Sequence, residues 1–268
     1  MVDKSFAITA SLYGMSCVFY LAMLANPGAE KLTRVARMVL AVAIVGHTGF
    51  LVSEYIELGY GPFRSIHGSF SMVSLLVVSI FFAAQFRFRV SVLGAIIVPL
   101  TLLFFMGASF AGSVKPVPEN VRSMLLPVHI AVNVLGLVCF ALAAAVACGY
   151  VIQERQLRQK RIDGISQRLP SLTVLDRWSL RLVTLGFPLL TIGIVTGGMW
   201  AVRLGPEAPL LSPNQAFALA AWMLFALVLM LRFAVGWQGR RAAIGTICGF
   251  VFTALVLAGY AARATGGA

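Results

Sequence analysis

Acidic side chains are scarce. Only 9 Asp and Glu stand among 268 residues, against 21 Lys and Arg. Charged residues of both signs make up 11% of the chain and hydrophobic ones 60%, a balance too apolar for a soluble domain of this length. Paired carboxylates inside apolar runs, which proton-coupled carriers favour, are missing. Cysteine is sparse too. Cys17, Cys139, Cys148 and Cys248 all fall inside apolar runs and form no CxxC pair. They read as small packing residues, and neither thiol redox chemistry nor a disulfide framework is expected. The chain also lacks a Gly-rich phosphate loop, an HExxH helix, a metal-type Cys/His cluster and a Ser-His-Asp candidate. No period of 20–50 residues repeats, which excludes a solenoid.

Long hydrophobic runs are what the sequence has instead. A spanning helix needs about 20 apolar residues, and several such runs follow one another. Barrel strands of about 10 alternating residues do not fit runs this long and unbroken, so backbone satisfaction in lipid leaves helices. The expected fold is an all-α, polytopic transmembrane bundle of about eight spans forming a single domain over 1–268. The spans are predicted at 5–25, 35–57, 66–85, 90–111, 124–152, 179–203, 214–234 and 242–262. The first run, Phe6 to Leu24, follows one Lys and ends near Ala25-Asn26-Pro27. It is read as a span rather than a cleaved signal, because the chain behind it is wholly membranous.

Basic residues fix the expected orientation. The odd-numbered connections and their flanks hold Lys31, Arg34, Arg37, Arg87, Arg89, Arg155, Arg158, Lys160, Arg161, Arg168, Arg177, Arg181, Arg232, Arg240 and Arg241. The other side holds only Lys4, Arg64, Lys115, Arg122, Arg203 and Arg263. The basic set is expected in the cytoplasm, with both termini outside. The net charge of +12 is then mainly an orientation signal, and no nucleic-acid partner is expected. In the fifth connection, Glu154 to Arg161 is predicted to extend span 5 as a charged helix that Asp163-Gly164 ends. Leu169-Pro170-Ser171 should open a short amphipathic segment, Leu172 to Leu175, on the inner membrane surface, its basic surroundings near anionic lipid.

Three histidines, His47, His67 and His129, each lie in or at the end of a span. Ionisable groups at membrane depth are costly and are functional candidates. Imidazole is the usual axial ligand of haem iron, yet it also serves as a hydrogen-bond bridge between helices, and position alone does not separate these roles. His47 sits about 18 Å from the inner boundary at 1.5 Å per residue, and His129 about 7 Å below the outer one. All three belong to the outer half. Gly59, Gly61 and Pro62 mark a tight turn that places His67 at the outer mouth. Glu54 and Glu57 lie at the outer end of span 2, either as surface anchors or as carboxylate partners to a ligating His. Gly193, Gly197 and Gly198 in span 6 allow close helix contact, or room for a flat macrocycle.

The stretch Leu175-Asp176-Arg177-Trp178-Ser179-Leu180-Arg181 runs on through Leu185-Gly186-Phe187, Thr191-Ile192-Gly193 and Gly197-Gly198-Met199-Trp200. It resembles the cytochrome c assembly membrane family (CcsA-like), including its shorter HemX-like branch. The resemblance covers most of the chain. It takes in His47 and the Gly59-Tyr60-Gly61-Pro62 turn, Leu125-Leu126-Pro127-Val128-His129, and Gly236-Trp237-Gln238-Gly239-Arg240-Arg241. It implies that His47 and His129 are haem-linked, ligating the iron of a haem b, while His67 falls where that family places a Tyr. Met230 aligns with the family's second transmembrane His. Met can ligate haem beside His, but Met230 lies about 12 Å from His47 in depth, so the His47/His129 pair is preferred and Met230 is expected to pack. Arg203 to Leu210, where full assembly proteins carry a Trp-rich loop, holds no Trp, and the outward His that follows that loop has no counterpart. That departure leans toward the shorter branch. The expected function is haem handling in c-type cytochrome biogenesis in a bacterial inner membrane. The protein would not be a stand-alone enzyme but part of a cytochrome c haem lyase system, with lipid, a partner membrane protein of that system and apocytochrome c as its partners. A membrane regulator or scaffold of haem synthesis, and a b-haem electron-carrying subunit, are the competing readings.

Overall fold

The structure is a computed structural model that describes residues 2–25, 30–59, 61–110, 125–160, 168–203 and 213–266. Its long helices are α1 (Val2–Ala25), α2 (Glu30–Leu58), α3 (Ile66–Arg87), α4 (Gly94–Phe110), α5 (Leu125–Arg158), α6 (Leu172–Arg203), α7 (Pro213–Ala234) and α8 (Arg240–Gly266). Each of the eight is long and apolar enough to cross a membrane. Short 3-10 turns, Pro62–Arg64 and Ser91–Leu93, lead into α3 and α4. The eight-span expectation holds.

The centre of the bundle is α5. Of its most apolar stretch 67% is buried, more than in any other span. The reason is its composition: Ala141, Ala143, Ala144, Ala145 and Ala147 are all buried, and small residues let neighbouring backbones approach. One core joins α1 to α4 with α5, around Tyr13, Phe50, Phe81 and Phe105. A second joins α5 to α6 and α7, around Phe140, Val183 and Phe225. Phe140 and Phe225 stack at 3.9 Å between centroids.

Two expectations about the fifth connection meet different outcomes. The charged extension of span 5 exists, since α5 continues to Arg158, held by a Glu154–Arg158 pair at 2.8 Å. The separate surface segment does not. Leu172 to Leu175 forms the first turn of α6, and Leu175 is fully buried. Ser171 explains the difference: its carbonyl accepts from the amides of Val174 and Leu175, starting the helix directly. Leu175 then packs beside Gly149 of α5, near Leu93. Asp163-Gly164 lies outside the described residues.

At the other end of the bundle the turn into α3 is built for close approach. Gly59 adopts φ +70° after the last turn of α2, and its amide donates to Tyr55 O at 3.0 Å, as αL glycines do at helix ends. Ser65 caps α3 by accepting from Gly68 N at 2.9 Å. A Cβ on Gly68 would lie 2.5 Å from Pro62 O and 2.6 Å from Pro62 Cα, both rigid backbone atoms. Gly68→Ala should therefore cost about 1–3 kcal/mol, read as a lower melting temperature in detergent. Gly61→Ala meets nothing within 4 Å and should leave the melting temperature unchanged.

Candidate functional site

His47 sits on α2 with no exposed surface. Tyr13 Oη of α1 lies 2.9 Å from its Nδ1, and Ser71 Oγ of α3 lies 2.8 Å from its Nε2. Phe105 of α4 meets the imidazole edge-on at 4.5 Å between centroids, and Phe50 stands at 6.2 Å. One ring thus bridges three helices, and both of its nitrogens are hydrogen-bonded. Such bridges satisfy polar groups that lipid cannot.

His67, at the start of α3, shares this neighbourhood through Phe50, whose ring is 6.1 Å away. Its Nδ1 lies 2.9 Å from Ala108 O of α4, and its Nε2 3.1 Å from Glu54 Oε1 of α2. The Glu54 approach is short but poorly aligned for a hydrogen bond, so it acts as a charge contact. Glu54 is therefore a buried partner of a histidine and not a surface anchor. His47 and His67 belong to one aromatic-lined group spanning α1 to α4.

His129 belongs to another pair of helices. Its Nδ1 lies 2.8 Å from Thr196 Oγ1 of α6. The Thr196 hydroxyl donates to Ile192 O at 2.7 Å, with Gly193 O at 3.1 Å as a second acceptor. That hydroxyl proton is committed to backbone, so toward His129 the oxygen accepts. Nδ1 then carries the ring proton and Nε2 keeps its lone pair. Asn133, one turn along α5, donates at 2.7 Å to the His129 carbonyl and touches the ring nitrogens only at 3.3 and 3.4 Å. Beside the ring runs the glycine edge of α6: a Cβ on Gly197 would come to 3.0 Å from His129 Cε1, and Gly198 has open space. Gly193 gives the same close approach to Asn133. Every polar contact of His129 is made within α5 and α6.

Met230 lies apart from all three histidines. It is 58% exposed on the outside of α7. Trp222 Nε1 donates to Thr191 of α6 at 3.0 Å, and that pairing sets the register of α6 against α7. By it Met230 is about 20 Å from the level of Thr196 at 1.5 Å per residue. Sequence reasoning missed Tyr13, Ser71 and Thr196, since a hydroxyl in an apolar run has many ordinary uses. Asn133 carried a usable signal: it follows His129 by four residues, the spacing of side chains on one helix face.

The segments that resemble a known family also meet in space. Arg232 of α7 grips Asp176 of α6 with two contacts, Nη2 to Oδ1 at 2.9 Å and Nη1 to Oδ2 at 3.2 Å. The amide of Gly239 donates to the same Asp176 Oδ1 at 3.1 Å. The Asp176-Arg177-Trp178 and Gly236-to-Arg241 stretches are thus tied by one carboxylate. Residues 65–262 match the family model described as cytochrome C assembly protein. The chain belongs to that family. It is similar to the cytochrome c biogenesis protein CcsA of Trieres chinensis, 26% identical over 80% of this chain and 79% of that protein. The protein of the same name from Synechococcus sp. (strain CC9902) is 26% identical over 97% and 95%, and that of Microcystis aeruginosa 25% over 88% and 87%. With its eight spanning helices, this family member is a multi-pass membrane protein of cytochrome c biogenesis.

Haem is the group this family membership brings into question, and the residues differ in how they suit it. His129 fits: its Nε2 holds a lone pair, its Nδ1 proton is fixed by Thr196, and glycine backbone lies alongside. In metal sites a hydrogen bond on the far nitrogen fixes the tautomer and raises ligand basicity. His47 fits only after a change, because each of its nitrogens already has a partner within 2.9 Å. Arg203 to Leu210, the stretch without Trp, is described only at Arg203.

Proposed function

We propose that this protein binds haem b through His129 Nε2 and handles it for c-type cytochrome assembly in a bacterial inner membrane, basic connections inward and both termini outward. The observation that carries the reading is the Ile192–Thr196–His129 chain, which leaves the lone pair on the nitrogen facing away from Thr196, where the Asn133 amide at 3.3 Å is its one contact among the described residues. Bound haem would supply an iron that accepts the imidazole lone pair and vinyl groups that become thioether links in a cytochrome.

The chain's own residues do the rest. Thr196 orients the ring, Asn133 pins the first turns of α5, and Gly193 with Gly197 keeps the adjacent face flat. His47 is the proposed second histidine. A serine hydroxyl turns about a single torsion, so Ser71 can leave His47 Nε2 while Tyr13 accepts the proton on Nδ1. Attachment to apocytochrome c falls to an assembly in which this chain acts beside a partner membrane protein. A second reading of His47 alone is favoured by its saturated hydrogen bonding: it is then a bridge that locks α1, α2 and α3 together.

Loading the purified protein with haem and measuring the pyridine haemochrome tests both. Thr196→Val should weaken haem retention by about tenfold or more, as loss of a ligand's hydrogen-bond partner does. If His47 only bridges helices, His47→Ala lowers the melting temperature and leaves haem content intact. Intact protein that takes up no haem under excess loading overturns the proposal.

A further inference from the structure

At the bundle end opposite the histidines, α1, α2 and α3 enclose two hydrogen-bond donors that have no acceptor among the described residues. Gln85 of α3 is 6% exposed. Its Oε1 accepts from Tyr20 Oη at 2.9 Å, so its amide NH2 is left over, and Nε2 is buried without a partner. Arg37 of α2 has its Nε in the same condition.

The two belong to one place. The Arg37 guanidinium stands 5.6 Å over the ring of Phe86, the residue next to Gln85. The antiparallel α1–α2 pair confirms the level. Thr33 donates to Met23 Sδ at 3.1 Å, and Arg37 and Tyr20 lie one turn further along the two helices. Tyr20 is itself fixed, since its ring packs flush against Gly94, where a Cβ would clash.

Buried donors that stay unpaired are costly, and a guanidinium is costlier still. Among the described residues no carboxylate pairs with Arg37. The complement such a pair of donors asks for is an oxyanion. Around them lie Phe86 and Met38, both exposed on the outer face of the bundle, with Arg34, Arg87 and Arg89 exposed at the rim. An anion flanked by apolar surface on one side and by cations on the other is amphiphilic, as a phospholipid headgroup with its chains is.

We infer that Arg37 and Gln85 form a binding site for a phosphate oxyanion carried by an anionic phospholipid, in the groove between α2 and α3, with the acyl chains along Met38 and Phe86. The two donors take the phosphate oxygens, and Tyr20 holds the Gln85 amide in the receiving orientation.

Native mass spectrometry of the full chain in detergent, titrated with phosphatidylglycerol or phosphatidylcholine, tests this. Phosphatidylglycerol should be retained preferentially. Arg37→Gln and Gln85→Met should each weaken it about tenfold, the worth of one charge-assisted hydrogen bond. Gln85→Glu is the discriminating variant: its carboxylate supplies the acceptor internally, so it should abolish lipid retention while keeping the melting temperature at or above that of the parent. Equal retention of both lipids, or retention by Gln85→Glu equal to the parent, overturns the inference. Displacement by glycerol 3-phosphate as readily as by the lipid would assign the site to a free phosphoester and overturn the lipid source.

Discussion

In cells whose only copy carries His129→Ala, c-type cytochromes should fall by about tenfold or more, while the amount of folded protein in the membrane stays near that of the parent. The two halves of this result have separate causes. Thr196 keeps its bond to Ile192 O without the imidazole, and Asn133 donates to a backbone carbonyl that alanine retains. The half-buried site therefore loses little packing and no buried partner is stranded. What disappears is an imidazole nitrogen whose lone pair meets only the Asn133 amide, at 3.3 Å. His47→Ala is the contrasting case. It strands the Tyr13 and Ser71 hydroxyls in a closed core, at a cost of about 1–3 kcal/mol for each buried group. Haem staining and immunoblotting of the same membranes check the prediction. Normal cytochrome levels with His129→Ala remove the ligand assignment.

Arg232→Ala should lower stability by about 3 kcal/mol or more, the range found when one partner of a buried pair is removed. Arg232 is buried and Asp176 nearly so. The same carboxylate also holds the Gly239 amide, at the point where Gly239 takes φ +76°. Losing the arginine leaves Asp176 charged among apolar helices and loosens the entry to α8. Thermal unfolding in detergent reads the effect. Pairing Arg232→Met with Asp176→Leu should recover much of the loss, because it removes both charges and not one. An unchanged melting temperature for the single variant sinks the argument.

Span number and type were legible in the sequence because they depend on bulk composition: a run of about 20 apolar residues has one stable form in lipid. The positions of His47, His67 and His129 were equally plain, since three histidines stand out in so apolar a chain. Their partners were not. Tyr13 is 34 residues from His47 and Thr196 is 67 from His129, and no local pattern encodes such pairings. The Leu172–Leu175 segment failed for a different reason. Polar residues around a proline look like the edge of a surface helix, yet Ser171 starts a helix that continues without a break into the bundle. The role of Asp176 was hidden in the same way. Its sequence context marked the family, and only its contact with Arg232 and Gly239 explains why a carboxylate is needed there.

The row of alanines along α5 has a consequence for how the chain assembles. Alanine has no side-chain rotamers to freeze, so helices that dock on α5 lose only their own freedom. Of the other spans, α3 before it and α6 and α8 after it settle most directly against that face. A newly made α6 or α8 would find its seat already formed, and the stack of Phe140 on Phe225 then fixes how far along α5 the later spans can slide.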